Sequence, residues 1–233
     1  MRIFSFNSFA SIKSMPVNKE AYHQIKVELD ASHVTLVAVS KTKPVSDIQE
    51  LYDLGHRDFG ENYVQELVDK AEQLPKDIRW HFIGHLQSNK VKYIVPFVQL
   101  IHGVDSLKLL KEIDKQAAKK HRTINCLLQV HIAQEETKFG MDESELKEFL
   151  AHDEYLAMEN AKVVGLMGMA SLTEDWTKVR SEFQNLKKTF DSLNIPGLTN
   201  LSMGMSSDYK IAMEEGSNMV RIGSLLFGER TYI

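Results

Sequence analysis

Short apolar segments alternate with segments of helical periodicity along almost the whole chain, and this alternation limits the possible folds most strongly. Strands that alternate with helices pair in parallel, because each helix returns the chain to the start of the next strand. Eight such units in about 215 residues are enough for a closed barrel of near-minimal size. The sequence therefore predicts an α/β fold with a single (β/α)8 TIM barrel, and an open doubly wound sheet is the alternative. The predicted strands span residues 34–40, 57–61, 80–84, 99–104, 125–132, 162–170, 200–204 and 219–223, and the predicted helices span about 18–30, 45–54, 62–73, 87–95, 106–121, 142–151, 175–193 and 207–215.

The composition excludes several classes of protein. Hydrophobic residues make up 43% of the chain, which is enough for an ordinary globular core. The net charge is −4 with both signs mixed, and we find no basic patch of the kind that binds nucleic acid. No apolar run approaches the roughly 18 residues that a membrane span needs. Cys126 is the single cysteine, so no internal disulfide can form, and we expect a reducing compartment, the cytoplasm.

Residues 1–14 differ from the rest of the chain. They contain Arg2 and Lys13, no acidic residue, four serines and three phenylalanines, a composition faintly like that of a transit peptide. We interpret them as a loosely ordered extension, with Met15 as the functional start and residues 15–233 as one barrel domain. Targeting to an organelle is the alternative.

The first predicted strand ends in a lysine, which is the first candidate for chemistry. In the segment VTLVAVSKTKP, strand alternation puts Lys41 on the same face as Val37 and Val39. Partial burial disfavours the ammonium form, and the nearby charge of Lys43 acts in the same direction, so we expect a lowered pKa for Lys41. A neutral amine condenses with aldehydes, which makes Lys41 a candidate Schiff-base lysine. The alternative is a lysine that extends its charged end to solvent.

Glycines and serines follow the seventh and eighth predicted strands. The active site of a TIM barrel lies at the carboxyl ends of its strands, and the loops after strands seven and eight frequently bind phosphate. The segment SMGMSSD contains Gly204, Ser206 and Ser207, and Gly223 and Ser224 follow the eighth strand. Either group alone is typical of an ordinary turn. Both together, at these two loops, predict an anion site.

Arg221 is a charged residue inside the last predicted strand, where it needs a partner. One interpretation is an inward arginine that pairs with a carboxylate at the barrel mouth. The other is a donor to a ring nitrogen of a bound ligand. A Schiff-base lysine, a phosphate site and such a donor are together what a protein supplies to pyridoxal 5′-phosphate (PLP).

Five motifs resemble those of the pyridoxal phosphate homeostasis proteins: AVSKTKP, FGENYVQE, WHFIGHLQSNK, SMGMSSDY and VRIGSLLFGER. The resemblance runs from about residue 34 to residue 230. It implies an alanine-racemase-like barrel that binds PLP and serves in storage, delivery or buffering of this cofactor. By the same resemblance, PLP forms a Schiff base with Lys41, lies beside Asn62, meets Arg221 at its pyridine nitrogen, and is bound through its phosphate by Ser206, Gly223 and Ser224.

Arg221 also argues against transaminase-like chemistry, whereas racemisation or simple storage stays possible. Its pKa is too high for it to give a proton to the pyridine nitrogen, so the ring stays a weak electron sink. Alanine racemases use a second base from an additional domain, for which this chain has no room. We therefore expect a monomeric PLP-binding protein without catalytic residues or metal, whose partners are PLP and PLP-dependent apoenzymes. The alternatives are a minimal amino-acid racemase and a PLP-free class I aldolase that uses Lys41 directly.

Further residues are secondary candidates. We expect His85 and Tyr63, near the barrel mouth, to bind the cofactor or to pack. His102 and His131 lie on predicted strands and are expected in the core or along the sheet. Lys138, after the fifth strand, is the second candidate amine, for transfer of the cofactor.

Overall fold

Eight parallel strands form a closed barrel in the structure, a computed structural model that describes residues 17–133, 139–193 and 195–229. Consecutive strands pair with each other, and β1 closes the barrel against β8. The predicted TIM barrel is confirmed, and the open sheet is wrong because the first and last strands are paired. The strands are β1 (Thr35–Val39), β2 (Asp58–Glu61), β3 (Arg79–Phe82), β4 (Leu100–Val104), β5 (Ile124–Gln129), β6 (Ala161–Met167), β7 (Asn200–Met205) and β8 (Met219–Ile222).

Helices cover the outside of the barrel, and side-chain caps mark where several of them begin. The Asn18 side chain accepts a hydrogen bond from the Ala21 amide at 3.0 Å, and Asp142 and Glu145 form a reciprocal capping box. The helices are α1 (Lys19–Ala31), α2 (Val45–Asp53), α3 (Val64–Gln73), α4 (Val91–Ile94), α5 (Leu107–Lys119), α6 (Glu143–Ala151), α7 (Asp153–Leu156), α8 (Trp176–Ser192), α9 (Tyr209–Glu214) and α10 (Ser224–Phe227), with a 3-10 helix (Ser88–Lys90) before α4.

Strand alternation divides the side chains between the barrel interior and the layer beneath the helices. Val37 of β1 and Met219 of β8 lie in the interior cluster, whereas Leu36 and Val220 belong to the outer core. Arg221 follows Met219 by two residues and therefore points inward. The face on which the sequence places Val37 and Lys41 is therefore the inward one.

The largest differences between the predicted and the observed strand ends occur at β5 and β6. The predicted strand 125–132 ends at Gln129, because Val130 continues into an isolated bridge with Met141. The predicted strand 162–170 ends at Met167, and the carbonyl of Gly168 accepts a hydrogen bond from Arg221 instead. Apolar sequence continues past both strand ends, so the pattern alone could not locate them.

The predicted extension over residues 1–14 lies outside the described residues, and the domain division stays a prediction. The described elements run from Lys19 to Phe227. Within them, no helix has both the length and the apolar character needed to cross a membrane.

Gly204, which we predicted to help bind phosphate, packs against a helix. Its φ is +94°, a left-handed conformation that costs a non-glycine residue about 1–2 kcal/mol. A Cβ at this position would lie 2.6 Å from the Cβ of Ala212 and 3.0 Å from the Cα of Tyr209, both in α9. The glycine therefore allows β7 and α9 to approach each other.

We expect Gly204→Ala to lower the free energy of unfolding by about 2–4 kcal/mol, because backbone strain and overpacking add. Gly55→Ala is the matched control, since Gly55 has a φ of +92° and no atom within 4 Å of an added Cβ. It should lose only the strain of about 1–2 kcal/mol. Chemical denaturation of both variants measures the difference. Equal losses would mean that α9 accommodates the methyl group without cost.

Candidate functional site

A cavity of about 430 Å³ opens at the carboxyl ends of the strands. This volume lies in the range of small-molecule sites, roughly 300–1,000 Å³. The structure brings together in its lining all six residues that the family resemblance implies as cofactor contacts, although their binding of a cofactor stays a prediction. They are Lys41, Asn62, Ser206, Arg221, Gly223 and Ser224, and the lining also includes Ser207, Lys43 and the apolar side chains of Val39, Ile83, Met169, Met205 and Leu225.

Lys41 lies in a strained turn at the end of β1. The Lys43 amide donates to the Ser40 carbonyl at 3.0 Å, which makes Ser40–Lys43 a four-residue turn with Lys41 and Thr42 at its centre. Thr42 has a φ of +63° in the position that glycine usually fills in a type II turn, at a cost of about 1–2 kcal/mol. The Lys43 ammonium donates to the Phe227 carbonyl at 2.6 Å. Lys41 is half-buried beside the cavity, and its lowered pKa stays a prediction.

Arg221 is buried at the floor of the cavity and is held by uncharged acceptors. Its Nη1 donates to the carbonyl and the hydroxyl of Ser202 at 2.9 and 2.6 Å, and its Nη2 donates to the Gly168 carbonyl at 3.1 Å. These acceptors are two carbonyls and one hydroxyl, the charge of Asp208 also acts on Arg221, and both interpretations of this residue stay predictions. Burial lowers the pKa of Arg221 to about 10, and Asp208 opposes this effect. The guanidinium remains charged at neutral pH and has further N–H groups for a ligand.

A chain of hydrogen bonds leads from Arg221 through the barrel interior. The Ser202 hydroxyl lies 3.2 Å from Nδ1 of His102, whose Nε2 lies 3.0 Å from Nδ1 of His81, whose Nε2 lies 3.1 Å from Asp58. The Ser202 hydroxyl accepts from Arg221 and can therefore donate to His102. His102 can then donate to His81, and His81 to the carboxylate of Asp58. Burial, with the charges of His81 and Arg221, holds the pKa of His102 well below its usual value, which fits a neutral ring. The predicted core position of His102 is confirmed.

The β7 and β8 loops present a set of N–H groups to the cavity. The Ser206 hydroxyl accepts a hydrogen bond from the Gly223 amide at 3.2 Å and so joins the two loops. The backbone N–H groups of Ser206, Ser207 and Ser224 have no acceptor among the described residues. Backbone N–H groups without an acceptor, together with serine hydroxyls in the lining of a cavity, suit an anion. Gly204 is not part of the lining, so the predicted site loses this member.

Asn62 follows β2 and carries an unsatisfied polar atom. Its Oδ1 is buried and has no hydrogen-bond partner among the residues that the structure describes. Gly84 passes close to it, since a Cβ there would lie 2.4 Å from the Asn62 carbonyl. A buried acceptor without a donor costs about 1–3 kcal/mol, which a donor on a ligand would offset.

Two secondary candidates, His85 and Tyr63, line a groove that shares Asn62 with the cavity. His85 is 3.3 Å from Asp105 and stacks on Phe139, with 4.4 Å between ring centroids. Tyr63 is exposed and lines a neighbouring groove with His85. The amide of His131 donates to the Met141 carbonyl, and Lys138 lies outside the described residues.

Comparisons with known proteins agree with this architecture. The family described as "Alanine racemase, N-terminal domain" matches residues 19–231. A pyridoxal phosphate homeostasis protein of Aquifex aeolicus is 45% identical over 202 residues, which cover 84% of this chain and 87% of the relative. The human pyridoxal phosphate homeostasis protein is 40% identical over 220 residues, which cover 88% of this chain and 80% of the relative.

Solved structures show the same fold. PipY of Synechococcus elongatus with PLP bound has a TM-score of 0.81 at 35% identity, with 90% of this chain and 99% of that chain covered. Alanine racemase of Bartonella henselae, with covalently bound pyridoxal phosphate, has a TM-score of 0.69 at 15% identity, over 93% of this chain and 65% of that chain. At this identity the likeness concerns the fold alone.

Proposed function

The chain belongs to the alanine racemase N-terminal domain family and, within it, to the pyridoxal phosphate homeostasis proteins, and on this basis we propose that it binds PLP on Lys41 and serves in PLP homeostasis. The Lys41 amine condenses with the aldehyde carbon and one water is released. The imine between Lys41 and PLP is reversible, because a second amine can displace Lys41 from it. Such a bond suits storage, delivery or buffering of the cofactor. The cytoplasmic location and the monomeric state expected from the sequence are part of this proposal.

The convergence of an amine, an anion site and a fixed cation in one cavity carries the proposal. Lys41 lines the cavity together with Ser206 of the β7 loop and Ser224 of the β8 loop. Arg221 lies in the same lining, where its remaining N–H groups can donate to an unprotonated ring nitrogen. The unsatisfied Asn62 oxygen supplies a further contact point for a polar ligand. These residues fit PLP better than they fit a simple sugar phosphate, because a sugar phosphate offers no ring nitrogen for Arg221.

The lining also supports binding without rapid catalysis. Bound PLP stabilises carbanions most strongly when its ring nitrogen is protonated, and Arg221 cannot supply that proton at neutral pH. Within the described residues, the lining contains no histidine, tyrosine or carboxylate that could act as a second base. Lys43 is the other amine in the lining, and its ammonium is bound to the carbonyls of Phe227 and Glu229.

We expect the PLP-loaded protein to turn over no common amino acid at an enzyme-like rate. The test is incubation with each amino acid, followed by chiral analysis and assay of keto acids. Slow exchange of the α-proton alone agrees with the proposal, because any imine of PLP acidifies this proton. Turnover at about 1–1,000 per second would make the protein an enzyme and the proposal wrong.

A further inference from the structure

A buried charge network lies behind Lys41, between the barrel wall and helix α3. Lys70 of α3 is buried, and its ammonium donates to the Ser40 carbonyl at 2.8 Å. It also donates to Glu61 Oε1 and to Glu66 Oε1, both at 2.7 Å. These three bonds use every N–H of the ammonium group. All three N–H groups of Lys70 are therefore bound, by the residue after β1, by β2 and by its own helix.

The two carboxylates connect Lys70 to both neighbours of Lys41. The Ser40 hydroxyl donates to Glu61 Oε1 at 2.6 Å. The Thr42 amide donates to Glu66 Oε1, also at 2.6 Å. The network thus holds the residue before Lys41 and the residue after it. None of its members belongs to the cavity lining, but Ser40 and Thr42 flank the lining residue Lys41 along the backbone, and Glu61 precedes the lining residue Asn62.

The backbone that the network holds is the strained one. Thr42 is β-branched and has a φ of +63°, a conformation that persists only where the surroundings determine it strongly. A buried ion pair is weak evidence for a purely stabilising role, because well-packed apolar side chains often stabilise as much. Burial also raises the pKa of Glu61, and Lys70 opposes this effect. The buried charges of Lys70, Glu61 and Glu66 all act on the Ser40–Lys43 turn. This concentration argues for a role in holding this turn rather than in stabilising the barrel in general.

We propose that Lys70, together with Glu61 and Glu66, is a positioning group that holds the Ser40–Lys43 turn in its strained form and so directs the Lys41 amine into the cavity. This inference rests on the proposed function, since positioning matters for the bond between Lys41 and PLP. The network does not touch the cavity, so removing it should weaken PLP binding while the barrel remains folded.

The test compares Lys70→Met with a control that destabilises the same helix. Lys70→Met should weaken PLP binding about tenfold in equilibrium titration, which corresponds to about 1.4 kcal/mol. Thr42→Gly, added to Lys70→Met, should restore affinity to within about threefold of the wild type, because glycine adopts the left-handed region readily. Leu67→Ala removes a fully buried side chain of α3 that is not a member of the network, and it should keep wild-type affinity well below its melting temperature.

The titration overturns the proposal if Lys70→Met binds PLP as the wild type does, or if Thr42→Gly restores nothing. An equal loss in Leu67→Ala also overturns it, since the effect would then be general destabilisation. Where Lys70→Met does not fold, Glu66→Ala replaces it, because Glu66 is only half-buried and is the acceptor for Thr42.

Amide hydrogen exchange in the PLP-free protein separates this proposal from the proposed function. The amides of Thr42 and Lys43 should exchange faster in Lys70→Met than in Leu67→Ala, whether or not the wild type binds PLP. Equal exchange at these amides overturns the positioning role. If the wild type forms no bond with PLP, the proposed function is rejected. If the Thr42 and Lys43 amides still exchange faster in Lys70→Met, the network nevertheless holds the turn.

Discussion

Lys41→Ala should abolish covalent binding of PLP, together with its visible absorption band, while the barrel stays folded. Lys41 lines the cavity at the carboxyl end of β1, and its side chain belongs to neither hydrophobic cluster. Removing it therefore takes away the reacting amine without creating a hole in the core. Absorption spectra and circular dichroism of the variant check the two parts of this prediction.

Lys43→Ala is the matched control for this experiment, because Lys43 is the second lysine of the same lining. Its ammonium is bound to the carbonyls of Phe227 and Glu229, so it holds the chain end rather than the ligand. The variant should keep the visible band. A full band in Lys41→Ala, or its loss in Lys43→Ala alone, would assign the bond to a different lysine.

Pyridoxal, which lacks the phosphate, should bind at least about a hundredfold more weakly than PLP. The open N–H groups of Ser206, Ser207 and Ser224 can form charge-assisted hydrogen bonds with a phosphate, each worth about 1.5–3 kcal/mol. Two such bonds already exceed the roughly 2.7 kcal/mol of a hundredfold difference. Equilibrium titration with both compounds measures the ratio directly.

Competition by inorganic phosphate supplies the control. Phosphate should weaken the apparent affinity for PLP and leave the affinity for pyridoxal nearly unchanged, because only PLP occupies the anion site. Equal affinities for PLP and pyridoxal would contradict a phosphate site formed by the β7 and β8 loops.

Periodicity along the chain was enough to predict the barrel and the faces of its strands. Val37 and Met219 lie in the barrel interior, and in a strand the residue two positions further along points the same way. Arg221, two residues after Met219, follows this rule. The ends of parallel strands meet at one mouth, so residues distant in sequence could be predicted to share a site. This geometric rule explains why Lys41 and Ser224 could be grouped from the amino-acid sequence alone.

Partner choice could not be predicted from the same pattern. Alternation indicates that Ser202 faces inward, but nothing local identifies His102 or Arg221 as its partners. Lys70 resembles an ordinary surface lysine of a helix, and its burial against Glu61 follows only from how α3 packs on the barrel. Hydrogen-bond partners separated by many residues depend on packing and register, which periodicity does not specify.

Borohydride reduction of the PLP-loaded wild-type protein, followed by peptide mapping, tests the central claim most directly. Reduction converts the imine into a stable amine and so records which lysine carried the cofactor. We predict one modified peptide, with the label on Lys41 and with Lys43 and Lys138 unmodified. A label on Lys138, or bound PLP that leaves no label on Lys41, would contradict the account.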